Sequence, residues 1–156
     1  MKKLLTLTGV SLIALSVYST GAIANDESSE GFVSPGPTPV TENGISYMSG
    51  GVGEEELKQI NKAAKDYDLK LTFATAKRGE YLADVNVAIE DSKGNKVLET
   101  TSDGPIFLAD LPKGTYKVKA EANDKTIEKK VSINGKNKVN STFTWREQAV
   151  KASSNE

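Results

Sequence analysis

Residues 47–60 read YMSGGVGEEELKQI, with Gly50, Gly51 and Gly53 running into a stretch of helical pattern. Backbone N–H groups at the start of a helix can cradle a phosphate or stabilise an oxyanion. The residues that follow oppose that chemistry. A Walker-type loop ends in Lys and then Ser or Thr, whereas Glu54, Glu55 and Glu56 stand here. Two like charges about 4 Å apart near a protein surface cost about 4 kcal/mol at an effective dielectric of about 20. In a first helical turn each Glu instead gains about 0.3–1 kcal/mol from the helix dipole. The stretch is therefore expected to be a pliant joint with Gly53 or Ser49 near the N-cap, its glycines serving either a close backbone approach or a hinge that presents a partner site. Gly50, Gly51 and Gly53, with Tyr47 and Tyr81, are the candidate interaction residues.

The chain of 156 residues contains neither histidine nor cysteine. Ser-His-Asp and Cys-His nucleophiles, zinc sites of ordinary composition and haem ligation all need one of those residue types. What remains is a Ser-Lys pair, a carboxylate pair or oxygen-only metal ligation, and none has a matching spacing. No catalytic residue, metal site or cofactor is predicted. DSKGNK at 91–96 superficially resembles a calcium loop, but Lys93 stands where an EF-hand places its third-position ligand and Ser102 where it places its Glu, so a hairpin turn is expected. Asp84, Asp103 and Asp110 fall near strand ends and could hold Ca²⁺ only if they converge, the alternative being solvated acids that discourage edge pairing. A Lys70–Asn140 isopeptide cross-link is disfavoured, because both residues alternate out of phase with the apolar positions.

These groups must be positioned by whatever the rest of the chain builds. The N-terminus, MKKLLTLTGVSLIALSVYSTGAIAND, has two lysines, a mainly apolar run and the small-x-small pattern Ala22, Ile23, Ala24, predicting a signal peptide (1–24) cut after Ala24. A spanning helix would need about 20 strongly apolar residues, and this run is broken by threonines, serines and a glycine, so no stable membrane insertion is expected after cleavage. The setting favours a bacterial periplasm, with secretion as the alternative. Removing Lys2 and Lys3 from 20 basic residues against 21 acidic ones leaves a net charge of −3. That balance gives no footprint for nucleic acid. Without cysteine there is no disulfide and no lipid-modified N-terminus, so the mature protein is expected to be held by its core alone.

Residues 25–46 are acidic and then proline-rich, with few large apolar side chains, and are expected to form a flexible leader. The tail, 147–156, is expected to fray. Residues 47–68 hold the glycine loop and one amphipathic helix, in which Leu57, Ile60, Ala64 and Tyr67 share a face. From Leu69 onward the apolar period becomes two, marking strands at 69–76, 83–91, 96–101, 106–109, 115–122, 125–133 and 138–145, separated by turn residues. Seven short strands with one apolar face each predict a mainly β fold, a single antiparallel β-sandwich over 69–146, with the helix capping an open edge or end. Trp145, alternating with Phe143, is expected in the core rather than on a sugar platform.

The segments ADVNVAIEDSKGNKV and LADLPKGTYKVKA resemble the carboxypeptidase regulatory-like domains, a transthyretin-like group of β-sandwiches. The resemblance is carried by a strand, a Gly-containing hairpin and its partner, and by Leu111, Pro112, Gly114 and Tyr116 in a turn-into-strand pattern. It spans about residues 70–145. As a whole the chain looks like exported bacterial proteins that carry one such domain after a glycine-rich segment and a helix. The residues themselves suggest that Pro112 presets a turn, Gly114 supplies a positive φ, and Tyr116 begins an inward-facing strand with a tyrosine-corner hydrogen bond. The purine-degrading transthyretin relatives rely on histidines, so that activity does not carry over. A non-enzymatic envelope or protein-binding module is the function expected; the alternatives are a carbohydrate or small-ligand module using Tyr47, Tyr81 or Phe107, and an enzyme using the glycine loop.

Overall fold

The computed structural model describes residues 36–146. The signal peptide, the first part of the leader and the tail lie outside them. Nine strands and one helix form in the order β1 (Val40–Glu42), β2 (Ile45–Gly50), α1 (Glu54–Ala63), β3 (Leu69–Thr75), β4 (Val85–Glu90), β5 (Lys96–Ser102), β6 (Ile106–Asp110), β7 (Gly114–Ala122), β8 (Lys125–Ile133) and β9 (Val139–Trp145). They make a five-stranded sheet, β1-β2-β6-β3-β9, and a four-stranded sheet, β5-β4-β7-β8. One apolar core lies between the sheets. Leu69, Leu71, Phe73, Phe107 and Phe143 of the first meet Val85, Val87, Ile89, Leu98 and Val118 of the second. Alternation at period two puts these side chains on the inner faces and the intervening residues outside.

The strand count exceeds seven because the region expected as leader and loop is itself sheet. Asn43 (φ 51°) and Gly44 (φ 77°) both take left-handed conformations, and Glu42 pairs with Ile45 across them. This two-residue loop matches the right-handed twist of its strands, which is why Asn-Gly favours it. Asn123 (φ 50°) and Asp124 (φ 57°) join β7 to β8 in the same way. The sandwich is also not wholly antiparallel, because β9 runs parallel to β3 from Leu69↔Val139 to Thr75↔Trp145. Alternation carries no information about strand direction. The chain changes sheets between β8 and β9, so no hairpin forces the antiparallel choice.

The helix lies on the outer face of the five-stranded sheet rather than at an edge or end of the sandwich. Ile60, fully buried, packs with Met48, Tyr67, Ile106 and Leu108, flanked by Leu57, Ala63 and Ala64. The helix continues into a 3-10 turn, Ala64–Asp66. Lys138, from the loop before β9, donates its ammonium to the carbonyls of Lys65 and Tyr67, satisfying orphaned helix-end acceptors with a cation, as the dipole favours. Because α1 covers one side, β6 alternates Ile106 and Leu108 toward the helix with Phe107 and Ala109 toward the core. All four are buried.

The glycines before the helix meet that sheet at close quarters. A Cβ added to Gly104 would stand 2.3 Å from the Gly50 carbonyl oxygen and 2.8 Å from its Cα. The two backbones therefore touch, and only hydrogen fits between them. Gly104→Ala is expected to lower the unfolding free energy by about 1–3 kcal/mol, as overpacking does. Urea unfolding monitored by Trp145 fluorescence checks this.

Candidate interaction surface

The helix covers β2 and β6 of one sheet, whereas the outer face of the four-stranded sheet has no helix over it. Its register sets side chains in rows across the strands. Thr101, Asn86, Glu121 and Thr126 form one row, and Glu99, Ala88, Lys119 and Glu128 the next. Lys96, Glu90, Lys117 and Lys130 form the third. Thr101 Oγ1 donates to Asn86 Oδ1 at 2.9 Å. Lys119 Nζ stands 2.6 Å from Glu90 Oε1 and 3.9 Å from Glu128, while Lys117 reaches Glu90 at 3.7 Å and Lys96 reaches Glu99 at 2.6 Å.

Small Ala88 among these long side chains leaves a shallow depression of about 420 Å³, walled by Glu90, Glu99, Lys119, Glu121 and Glu128. The hydrogen bond from Lys119, aided by the charges of Lys119 and Lys117, holds the Glu90 carboxyl below the ordinary range. The same bond raises Lys119. Such exposed pairs add little stability, since solvent screens them. They do fix the arrangement of charges that a partner would meet.

The other residues singled out from the sequence fall elsewhere. Gly50 ends β2, Gly51 is buried beneath Leu57 and Ile60, and Gly53 is the N-cap with φ 87°. Ser49 lies in β2 and bonds Asp103 through its hydroxyl at 3.1 Å. No side chain caps α1 at its N-cap residue. The Glu56 carboxylate instead accepts the N–H groups of Gly51 (3.0 Å) and Val52 (2.6 Å), so two of the loop's donors are engaged within the chain and a negative charge already stands at the helix start. Tyr47 stacks on Phe107, with ring centroids 5.6 Å apart, and its hydroxyl lies 3.4 Å from Thr100 Oγ1. Tyr81 is 57% exposed, whereas Phe107 is fully buried and cannot serve as an exposed aromatic. Trp145 belongs to the core with Phe73 and Phe143, and its indole N–H donates to the Lys125 carbonyl at 2.9 Å.

The turn motif is built as a tyrosine corner. Tyr116 donates its hydroxyl to the Pro112 carbonyl at 2.8 Å, and Leu111 is buried beside it in the core. Gly114 departs from expectation: it opens β7 without a positive φ, and a Cβ there would meet the Tyr116 ring at 3.5 Å. Asp91 accepts the N–H groups of Lys93 and Asn95 and the Asn95 side-chain amide, closing the DSKGN hairpin. Those hydrogen bonds, the Asn95 amide first, lower its pKa. Lys70 and Asn140 are register partners across β3 and β9, and the Lys70 ammonium donates to Asn61 Oδ1.

Asp84, Asp103 and Asp110 do not converge, and no group of three or more potential metal ligands occurs among the described residues. What sequence reasoning missed is a different carboxylate pair, Asp68 with Asp110. Local desolvation, then hydrogen bonding and repulsion from Asp68, raise Asp110 although it is exposed, against the opposing charge of Lys138. The two are 42 positions apart and meet because β3 and β6 are neighbours, so only the pairing of Leu69 with Ala109 reveals them. Since the fold favours protonated Asp110, its stabilising contribution is fully present below the ordinary value of 3.8 and is lost as pH rises through the raised value. Asp110→Asn is expected to stabilise the protein at neutral pH, with the gain disappearing in acid. Urea midpoints measured across that pH range check it.

Comparison with known proteins bears on part of this chain. A family model described as a secretion system C-terminal sorting domain matches residues 63–134, from the last residue of α1 to just beyond β8. It covers less than half of the chain and leaves out β1, β2 and β9. The match supports export. Among solved structures, a variant of the major pilin subunit of Bacillus cereus is similar with 16% identity and a TM-score of 0.39, over 49% of this chain and 28% of that one. The chain thus corresponds to about a quarter of that pilin's length, and so slight a likeness carries no functional argument. No curated protein matches.

Proposed function

We propose that the chain is an exported, non-enzymatic β-sandwich module that contacts a protein of the secretion or envelope machinery through the charged face of its four-stranded sheet. One observation carries this reading: α1 covers the outer face of the five-stranded sheet at β2 and β6, while the opposite outer face presents ordered rows of charge. Electrostatic complementarity of that kind selects partners and speeds encounter more than it adds affinity. The sorting-domain match favours carriage out of the cell over residence in the periplasm. The residues before β1 act as a spacer. The carboxypeptidase regulatory-like resemblance, carried by the hairpin at 83–97 and the Leu111–Tyr116 turn, concerns the scaffold, not the contact.

A carbohydrate module draws less support, because Tyr81 is the sole large exposed aromatic among the described residues. An enzyme built on the glycine loop draws less still, since Glu56 occupies the Gly51 and Val52 amides. The test is carbodiimide cross-linking of the exported protein in its native envelope, followed by mapping of the linked carboxylates. Cross-links are expected at Glu99, Glu121 or Glu128, and the pair Lys119→Glu with Glu128→Lys should reduce capture by about tenfold, or about 1.4 kcal/mol. Its circular dichroism spectrum should stay native, with only a small fall in the urea midpoint from setting a carboxylate beside Glu90. Cross-links confined to Glu54 and Glu55, with capture intact in the paired variant, would contradict the assignment.

A further inference from the structure

The described chain contains two exposed Asn-Gly steps, and the fold treats them differently. In the β1–β2 turn, Asn43 and Gly44 are pinned by the Glu42↔Ile45 pair, and the Asn43 carboxamide is tied through its nitrogen to the Val97 carbonyl at 3.5 Å. In the loop from β8 to β9, Asn134 instead holds its carboxamide oxygen in a nest. Asn134 Oδ1 accepts the N–H groups of Lys136 and Asn137, each at 2.9 Å. Gly135, with φ 68°, follows directly and has no Cβ to hinder its nitrogen. The Lys113 stem lies against Gly135, its Cε 2.6 Å from where a Cβ would be, so a cationic side chain borders the site.

We infer that Asn134 is a self-modification site, at which the Gly135 amide converts the carboxamide to a carboxylate with Lys136 N–H and Asn137 N–H as the oxyanion donors. The Gly135 nitrogen gives its proton to solvent base and attacks the side-chain Cγ, forming a C–N bond. Negative charge then develops on Oδ1, where the two N–H groups already point, as donors in an oxyanion hole do. The side-chain nitrogen takes a proton from solvent, its C–N bond breaks and ammonia leaves, closing a succinimide. Water opens that ring at either carbonyl, giving aspartate or isoaspartate; overall, one water enters and one ammonia departs.

The product places a new negative charge beside Lys113 and Lys136. Its isoaspartyl form also lengthens the main chain in the loop that sets the β9 register, just before Val139 N–H bonds the Asp68 carbonyl at 2.8 Å. This inference stands independently of the proposed function.

The experiment is incubation of the full chain at mildly alkaline pH, folded and in concentrated urea, with peptide mapping by mass spectrometry. In urea the two steps should convert at similar rates. In the folded protein Asn134 should convert at least about tenfold faster than Asn43, a modest share of what oxyanion donors supply in enzymes, and no slower than in urea. Asn137→Pro removes one donor and should slow conversion at Asn134 while the circular dichroism spectrum stays native. Equal folded rates at Asn43 and Asn134, slower conversion of Asn134 in the folded protein than in urea, or an unchanged rate in a natively folded Asn137→Pro would each overturn the inference. If that variant misfolds, the folded-against-urea comparison decides alone.

Discussion

The structure depends on β6 being buried from both sides. Its inner residues Phe107 and Ala109 belong to the core between the sheets, and its outer residues Ile106 and Leu108 belong to the smaller cluster under α1. Each large apolar side chain so buried contributes roughly 1.5–3 kcal/mol relative to exposure. Backbone groups in such a place have no access to water and must pair. Pairing with β2 on one edge and β3 on the other meets that demand. The β1–β2 hairpin is therefore not an ornament at the margin of the sandwich; it closes the β6 edge and carries Met48 to the helix.

The glycine joint follows from the same constraint. For α1 to reach the outer face of β6, the chain must leave β2 and turn back over it within three residues. Gly50 and Gly104 allow the two backbones to touch, and Glu56 ties down the amides freed by the turn. Packing thus accounts for the joint, and its resident carboxylate sets a negative charge against its own amides. The far corner is closed differently. Lys125 and Lys129 reach across to the carbonyls of Arg146, just past β9, and Thr142 on β9, with the Lys129 ammonium 5.2 Å from the Phe143 ring centre. Lysines placed this way discourage another strand from adding to that edge.

Period-two alternation made the strands from Leu69 onward legible, and the face of Leu57, Ile60 and Ala64 made the helix legible. What escaped has physical reasons. Asn43-Gly44 is a strong hairpin signal, yet all three residues of β1 are exposed, so that strand has no apolar pattern to announce it and reads as linker. The parallel pairing of β9, the seat of the helix and the meeting of Asp68 with Asp110 are relations between distant segments, which no local periodicity encodes. Gly114 shows the reverse error: a glycine in a turn-like context suggested a left-handed residue, but the Tyr116 hydroxyl bond shapes that corner. The charged rows on β4, β7 and β8 were visible only as alternating lysines and glutamates. Register was needed to show Lys119 between Glu90 and Glu128.

A division of labour between the sheets results, one face covered by α1 over β2 and β6 and the other left charged and open. Native-state amide hydrogen exchange tests its foundation most directly, because it reads the opening energy of each β6 amide separately. If β6 is the shared strand of both apolar clusters, the amides of Phe107, Leu108 and Ala109 should exchange only through global unfolding, with the same free energy and denaturant dependence as the whole domain. Exchange of these amides through a smaller opening, with the four-stranded sheet still protected, would contradict the account by showing that the helix and its sheet form a separable lid.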